Sequence, residues 1–380
     1  MAIVTGNIAK GKDLYGRDEL DVLCKGIEKD SLLLISPRRY GKTSIGIRMK
    51  AETRHGWSVT YIDMEGFSEP CEFIMGLNHS RTMLKRIKNL FKSGIVATDK
   101  VEFFNMIAIK LRESDNSWKK KGTEIFCELK DANPKLIIID ELPTYLLKMH
   151  EKYQDNGATL STFLHWLCSI RLDLQIRFIV CSSVGINTII DGYGLENSIN
   201  YFSRESLFPF DDETAKRMIT IQNKYNITHT NELVREITSI IGLQVLFFIQ
   251  LMLKEIRNRT VYGKIRLTSK IISDSYIWGL LGVEEKRYFN WYFKRLVTEF
   301  REKEYDVVLE ILNPLTQVSS VNINELEGIY KKIKEKKNRR DFNKILQTLE
   351  EGFYITKNKN MITFHNKVLR DLWINGDEIS

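Results

Sequence analysis

The sequence predicts an α/β fold. A mostly parallel sheet comes first, a helical stretch comes next, and a winged-helix module closes the chain. Three observations carry this. Short continuous apolar runs, SLLLIS at 31–36, KLIIIDE at 135–141 and IRFIVCSS at 176–183, alternate with a further apolar run, SVTYIDME at 58–65, and with stretches of helical periodicity. Such runs suit strands buried on both faces of a parallel sheet. The alternation stops near FPFDDET at 208–214, and from there to about 282 the chain reads as helical. The final segment ends in FYITKNKNMITFHN at 353–366, where FYIT, a polar turn KNKN and MITFH form a hairpin pattern. Helices closed by a hairpin are the pattern of a winged helix.

In order along the chain, Asp18 is placed to cap a helix running to about Lys29, with Leu20, Leu23 and Ile27 on one face. SLLLIS is the first strand, PRRYGKTS the loop after it, and IGIRMKAET the next helix. SVTYIDME comes next, then helical patterning around 72–91 and 101–113, the strand KLIIIDE, a helix over 159–171 and the strand IRFIVCSS. This divides the chain into a core at 1–210, a helical lid at 211–282 and a winged helix at 283–380.

Bulk properties fit that organisation. The 380 residues suffice for two or three domains, and 43% hydrophobic with 28% charged residues is ordinary for a globular protein. A net charge of +8 favours an anionic partner such as nucleic acid, nucleotide or an acidic protein. Five scattered cysteines with no C-x-x-C pair suit free thiols in a reducing, cytoplasmic setting. The longest apolar stretch, IIGLQVLFFIQLML at 240–253, falls short of the ~20 residues that span a bilayer and reads as a buried helix, so no membrane partner is expected.

The chemistry concentrates in two segments. In ISPRRYGKTS, Gly41-Lys42-Thr43 stands between a strand and a helix, the setting in which backbone N–H groups cradle phosphate. Gly41 allows close approach of the backbone, Lys42 supplies charge to the β- and γ-phosphates, and Thr43 offers a hydroxyl to Mg²⁺. The pattern G-x-x-x-x-G-K-[ST] places a glycine where this chain has Ser36. Ser36 carries a Cβ, so the opening turn must have φ < 0 or carry strain. The second segment is KLIIIDELP. Asp140 and Glu141 come after four apolar residues, at the strand end that faces the ligand crevice of an open α/β sheet. Asp140 is placed to hold Mg²⁺ through water, and Glu141 to act as general base. A basic surface turn and a solvated acidic turn are the bland alternatives. Ser182 and Ser183, ending the strand IRFIVCSS, are candidates to reach the γ-phosphate or the attacking water, or else to cap the next helix.

These residues resemble a known group. P-R-R-x-G-K-T-S over Pro37–Ser44, Gly16-Arg17-Asp18-Glu19-Leu20 upstream, Leu136–Pro143, and the ending FHNKVLRDLW at 364–373 look like the archaeal-type ATPases. These are P-loop ATPases of the AAA+/STAND grouping, related to archaeal origin-recognition proteins. The resemblance spans most of the chain, with 84–130 and 285–305 carrying little of it. It implies ATP or ADP with Mg²⁺ as ligands and an AAA+-like core, lid and winged helix in that order. It places Tyr15, Gly16 and Arg17 over the adenine. Pro37, Arg38, Arg39, Tyr40, Gly41, Lys42, Thr43 and Ser44 then form the phosphate loop, with Thr43 and Asp140 on the metal. Glu141 and Lys42 do the catalytic work. Two departures stand out: Ser36, and Gly242-Leu243-Gln244 where similar proteins carry glycine-x-proline at the start of a lid helix. Arg204 stands where relatives have an arginine before an apolar-Pro turn, and a surface salt bridge is its other reading. Arg38 and Arg39 could add charge near phosphates, or pack on acidic residues of the lid or a neighbouring subunit.

IYKKIKEKKNRRDFNK at 329–344 holds eight basic and two acidic residues. Lys331, Lys332, Lys334, Lys336, Lys337, Arg339, Arg340 and Lys344 make it a candidate contact for DNA. A helix ends before Asn338 and a second starts near Arg340, with Phe342, Ile345, Leu346 and Leu349 inward and Asn343, Lys344, Gln347 and Thr348 outward. Winged helices also serve as protein-interaction modules, so a protein partner or self-oligomer is the other reading. Three functions are compatible with these features: an ATPase switch controlling a partner, a DNA-binding ATPase of replication, repair, mobile-element or defence type, and a nucleotide-bound scaffold with little hydrolysis. The six histidines are dispersed, which argues against a metal-only hydrolase.

Overall fold

A computed structural model describes residues 16, 19–52, 56–77, 117–130, 135–183, 202–222, 230–282, 289–300, 302–333 and 338–374. They fall into two compact units, one within 17–207 and the other formed by Gly16 with residues from 208 onward. The second unit takes in both the lid and the winged-helix segments expected from the sequence.

The first unit opens with α1 (Glu19–Lys29), whose Leu20, Leu23 and Ile27 are buried on one face. Then come β1 (Leu32–Ile35), α2 (Lys42–Ala51), β2 (Ser58–Asp63), α3 (Pro70–Gly76) and α4 (Ser117–Lys130). The rest is β3 (Lys135–Asp140), α5 (Leu142–Tyr153), α6 (Ala158–Leu174), β4 (Arg177–Ser182) and β5 (Ser203–Glu205). The five strands form one sheet in the order β2-β3-β4-β1-β5, all pairs parallel. Burial on both faces explains the unbroken apolar runs of β1, β3 and β4. β5, the sequence SRE, carries no apolar signal because it is a mostly exposed edge strand. Of the expected helices at 72–91 and 101–113, only α3 lies within the described residues.

One face of the sheet is covered by an aromatic cluster. Phe73, Phe126, Phe163 and Trp166 are buried together with Trp118 and Tyr145. Phe73 meets Phe163 edge-on at 5.4 Å, and Trp118 meets Trp166 at 5.1 Å. Each such side chain contributes about 1.5–3 kcal/mol on burial, with a further ~0.5–1.5 kcal/mol for well-oriented ring pairs. This holds the sheet rigid beneath its carboxyl-terminal edge.

The second unit contains α7 (Asp212–Gln222), α8 (Asn231–Ile241), α9 (Leu246–Arg257) and α10 (Ser269–Asp274), with π-helical turns at Asn258–Tyr262 and Ser275–Leu280. The apolar stretch 240–253 is two helices rather than one: Gly242, at φ 77, ends α8 before α9 begins. Gln244 stands in the break. Its amide donates to the carbonyls of Thr238 at 2.8 Å and Gly242 at 2.6 Å, and its backbone oxygen accepts from Phe210. It therefore closes the C-terminus of α8, a role for which proline has no donor. No helix among the described residues is long and apolar enough to cross a membrane.

The unit continues through α11 (Asn290–Glu299), α12 (Glu302–Leu312), α13 (Pro314–Gln317), β6 (Val321–Asn322), α14 (Ile323–Ile333), α15 (Arg339–Glu351), β7 (Ile355–Asn358), β8 (Met361–Phe364) and α16 (Lys367–Ile374). β6, β8 and β7 form an antiparallel sheet in that order. Asn338 caps α15, its side chain accepting from the N–H of Arg340 at 2.9 Å. Phe342, Ile345, Leu346 and Leu349 are buried as the periodicity expects. Two details differ from expectation. Thr348 is buried and donates back to the Lys344 carbonyl at 2.9 Å. Lys357 and Asn358 pair with Ile362 and Met361 within the hairpin, so the turn is only Lys359-Asn360. Lys359 takes the left-handed conformation, φ 54, that such a two-residue turn requires.

Candidate functional site

The loop 36–41 leaves β1 in the interior of the sheet, beside β4. Its last residue, Gly41, has φ 93 and ψ 17, a left-handed conformation that glycine adopts without the Cβ clash other residues meet. Arg39 is also left-handed, φ 71. This pair of turns brings the chain round so that α2 starts at Lys42 with its N-terminal N–H groups over the strand ends, a ready cradle for an anion.

Lys42 is buried. Its ammonium donates to the carbonyls of Ser36 at 2.5 Å and Pro37 at 3.0 Å. Burial pushes its pKa down, while the carboxylates of Glu141 and Asp140 pull the other way. Thr43 donates from its hydroxyl to Asp140 Oδ2 at 2.6 Å. The phosphate loop and the acidic strand are thus joined side chain to side chain.

Asp140 ends β3 and is buried. Oδ2 accepts a second short bond, from the Tyr61 hydroxyl at 2.6 Å, whereas Oδ1 is buried with no hydrogen-bond partner. Glu141 sits just past the strand in the left-handed region, φ 58 and ψ 38, ahead of α5. A non-glycine residue held there is strained by roughly 1–3 kcal/mol, and such strain gathers at functional positions. Glu141 Oε2 accepts from Ser183 Oγ at 2.9 Å. Burial raises its pKa above the ordinary carboxylate value, with Lys42 as the main opposing influence.

Ser183 therefore reaches the acidic pair. Ser182 is fully buried as the last residue of β4, and its carbonyl accepts from the Ser36 N–H at 3.1 Å. Ser36 is not among the residues with positive φ, so it carries no left-handed strain. Its hydroxyl accepts from the backbone N–H of Leu207 at 2.6 Å, which ties the start of the loop to the segment after β5.

The remaining sequence candidates are more scattered. Arg38 pairs with Glu65 at 2.7 Å, an acidic residue of the same unit located after β2. Arg39 is exposed, while Pro37, Tyr40 and Ser44 are buried in the loop and at the start of α2. Arg204 lies on the exposed edge strand β5. Gly16 belongs to the second unit, where a Cβ on it would meet Thr214 Cγ2 at 2.8 Å. Tyr15 and Arg17 lie outside the described residues, as do Lys334, Lys336 and Lys337. Arg339, Arg340 and Lys344 are exposed on α15, and Lys331 and Arg339 flank Glu327 at 2.6 and 3.8 Å. Tyr61 is the residue sequence reasoning missed. Its signal was present but weak: a tyrosine two residues before Asp63 in a strand paired with the acidic one.

No protein-family model matches the sequence, and no curated relative does. Solved structures do match its fold. One is the Walker-type ATPase PABY2304 of Pyrococcus abyssi, 16% identical, covering 98% of this chain and 100% of that one with a TM-score of 0.67. Another is the ORC2 protein of Aeropyrum pernix, solved as ADPNP–ADP complexes, 10% identical, covering 100% of this chain and 98% of that one with a TM-score of 0.56. The chain thus shares, over nearly its whole length, the fold of archaeal P-loop ATPases related to the origin-recognition proteins.

Proposed function

We propose that this chain is an ATP-hydrolysing molecular switch of the archaeal-type P-loop family within the AAA+/STAND grouping. In this reading nucleotide state governs contact between its C-terminal module and a partner. One observation carries it: Lys42 and Thr43 of the phosphate loop converge on Asp140 and Glu141, with the Thr43 hydroxyl 2.6 Å from Asp140 Oδ2. Phosphate-binding and acidic elements meet at the carboxyl edge of a parallel sheet, where such folds bind ligands.

The residues also fit a divalent cation. Asp140 Oδ1 is a buried carboxylate oxygen with no donor, a costly arrangement for which a hard cation and its waters are the natural partner. Thr43 and Asp140 would hold Mg²⁺, which when bound neutralises phosphate charge. Lys42 and the N–H groups at the start of α2 bind the phosphates. Glu141 takes the proton of the attacking water, and Ser183 holds its carboxylate in place. The neighbour solved with ADPNP and ADP supports adenine nucleotides as the ligand class.

Residues 321–364, a strand, two helices and a hairpin, are read as a winged helix whose partner is a protein or a second copy of the chain. DNA is a second reading, favoured by Arg339, Arg340 and Lys344, exposed together at the start of α15. Steep loss of duplex binding between low and moderate salt would support it, and salt-insensitive or absent binding would leave the protein partner.

The test of the main reading is direct. Wild-type protein should bind and hydrolyse ATP, and Lys42→Ala should weaken nucleotide binding by about 100-fold, since a buried charge-assisted contact to phosphate is lost. Equal affinity in the two proteins would overturn it.

A further inference from the structure

Tyr61 has the geometry of a component of the site rather than of the core. β2 and β3 are parallel, with Tyr61 opposite Ile138 and Asp63 opposite Asp140. Tyr61 and Asp140 are therefore diagonal neighbours on one face of the sheet. That separation is too wide for a short side chain and is spanned by an aromatic one. The tyrosine hydroxyl crosses it and ends 2.6 Å from Asp140 Oδ2.

The helix above makes room for this ring. Gly46 lies in the interior of α2, where glycine costs about 1 kcal/mol relative to alanine. A Cβ there would stand 3.0 Å from Tyr61 Cε2, 3.1 Å from Cδ2 and 3.3 Å from Ile138 Cγ2. The same helix presents Lys42 and Thr43 at its N-terminus. A weak helix former is thus retained where the ring passes beneath the phosphate-binding helix.

The consequence falls on Asp140. Thr43 and Tyr61 both donate to Oδ2, and Oδ1 is left buried without a donor. Two donors on one oxygen fix the carboxylate rotamer and direct the free lone pairs to the other. We propose that Tyr61 is a positioning residue for the divalent cation, holding Asp140 so that Oδ1 is the oxygen presented to the ion and its water shell. This rests on the nucleotide-binding reading above. Partners that orient a metal-binding carboxylate typically matter by 10–100-fold in metal affinity.

The experiment titrates Mg²⁺ against binding of a fluorescent ATP analogue to the full chain, in wild type, Tyr61→Phe, Asp140→Asn and the double variant. Phenylalanine keeps the ring contacts, so the fold should be retained. Tyr61→Phe should need roughly tenfold more Mg²⁺ for half-maximal effect, with affinity in chelator unchanged. In the Asp140→Asn background the tyrosine substitution should add nothing, because its route to the ion is gone, whereas a purely structural role would add in both backgrounds. Gly46→Ala is a second probe: it displaces the ring without removing the hydroxyl and should also raise the Mg²⁺ requirement. An unchanged Mg²⁺ midpoint in both Tyr61→Phe and Gly46→Ala, or equal effects of Tyr61→Phe with and without Asp140, overturns the role of Tyr61. Wild-type protein that takes up no nucleotide overturns instead the reading beneath it.

Discussion

The carboxyl edge of the five-stranded sheet and the outer face of α15 both gather charge, by opposite physics. At the sheet edge Lys42 and Asp140 are buried, and each is held by named partners within 3.0 Å. On α15 Arg339, Arg340 and Lys344 are exposed, with Arg339 accessible over 71% of its side chain. Buried charge is expensive and survives only in an interlocked set, so removing one member disturbs the others. Exposed charge is cheap and screened, each residue acting nearly alone. The first region can therefore encode a specific reaction, the second only an affinity for something anionic.

That contrast breaks most readily at Glu141. Glu141→Gln should lower ATP turnover by about 10²–10³-fold while bound nucleotide persists, as loss of a positioned general base does. Unaltered single-turnover rates would remove Glu141 from the chemistry. Because burial lifts its pKa, wild-type turnover should rise with pH through a midpoint above the ordinary carboxylate range, and the glutamine variant should lack that limb.

Ser36→Gly probes the interlock from its other end. The Leu207 N–H loses its buried acceptor and the loop gains backbone freedom, so stability should fall by about 1–3 kcal/mol in denaturant unfolding. A variant as stable as wild type and binding ATP more tightly would mean that the serine is a defect.

The second unit offers a milder test at His365. Burial pushes its pKa down to about 4, so the folded state keeps the ring neutral where the unfolded chain takes up a proton. Stability is complete above about pH 6.5 and declines as pH falls from there towards 4, on the order of 3 kcal/mol at most, and His365→Gln should flatten that slope in thermal melts.

The smallest effect belongs to the exposed face. Replacing Arg339, Arg340 and Lys344 together by alanine should move stability by less than about 0.5 kcal/mol and leave turnover unchanged. Binding to duplex DNA or an acidic partner should weaken severalfold, most visibly at low salt. A large stability loss would mean that these charges are interlocked after all.

The legibility of each region divides along the same line. β1, β3 and β4 could be read because burial on both faces leaves unbroken apolar runs, and Gly41-Lys42-Thr43 because the chemistry confines a few residue types to adjacent positions. β5 left no trace, since an edge strand of three mostly exposed residues has no apolar signature. Tyr61 was hidden for another reason: its importance lies in a diagonal across two strands separated by more than seventy residues, and no local spacing encodes register. Ser182 and Ser183 are indistinguishable by residue type, and only the folded strand end shows Ser183 on Glu141. Gln244 read as a missing proline because its role, closing α8, depends on where that helix stops.

Ser36 carries a wider consequence. A search pattern that demands glycine at the loop's opening scores this chain as deficient at the very position where it has gained a cross-link. The hydroxyl stitches residue 36 to residue 207, and residue 207 is the last of the first unit. The signature of the site is thus spelled partly in a letter the consensus excludes. Because the donor is the backbone N–H of Leu207, which every residue but proline carries, the link leaves no partner letter to search for.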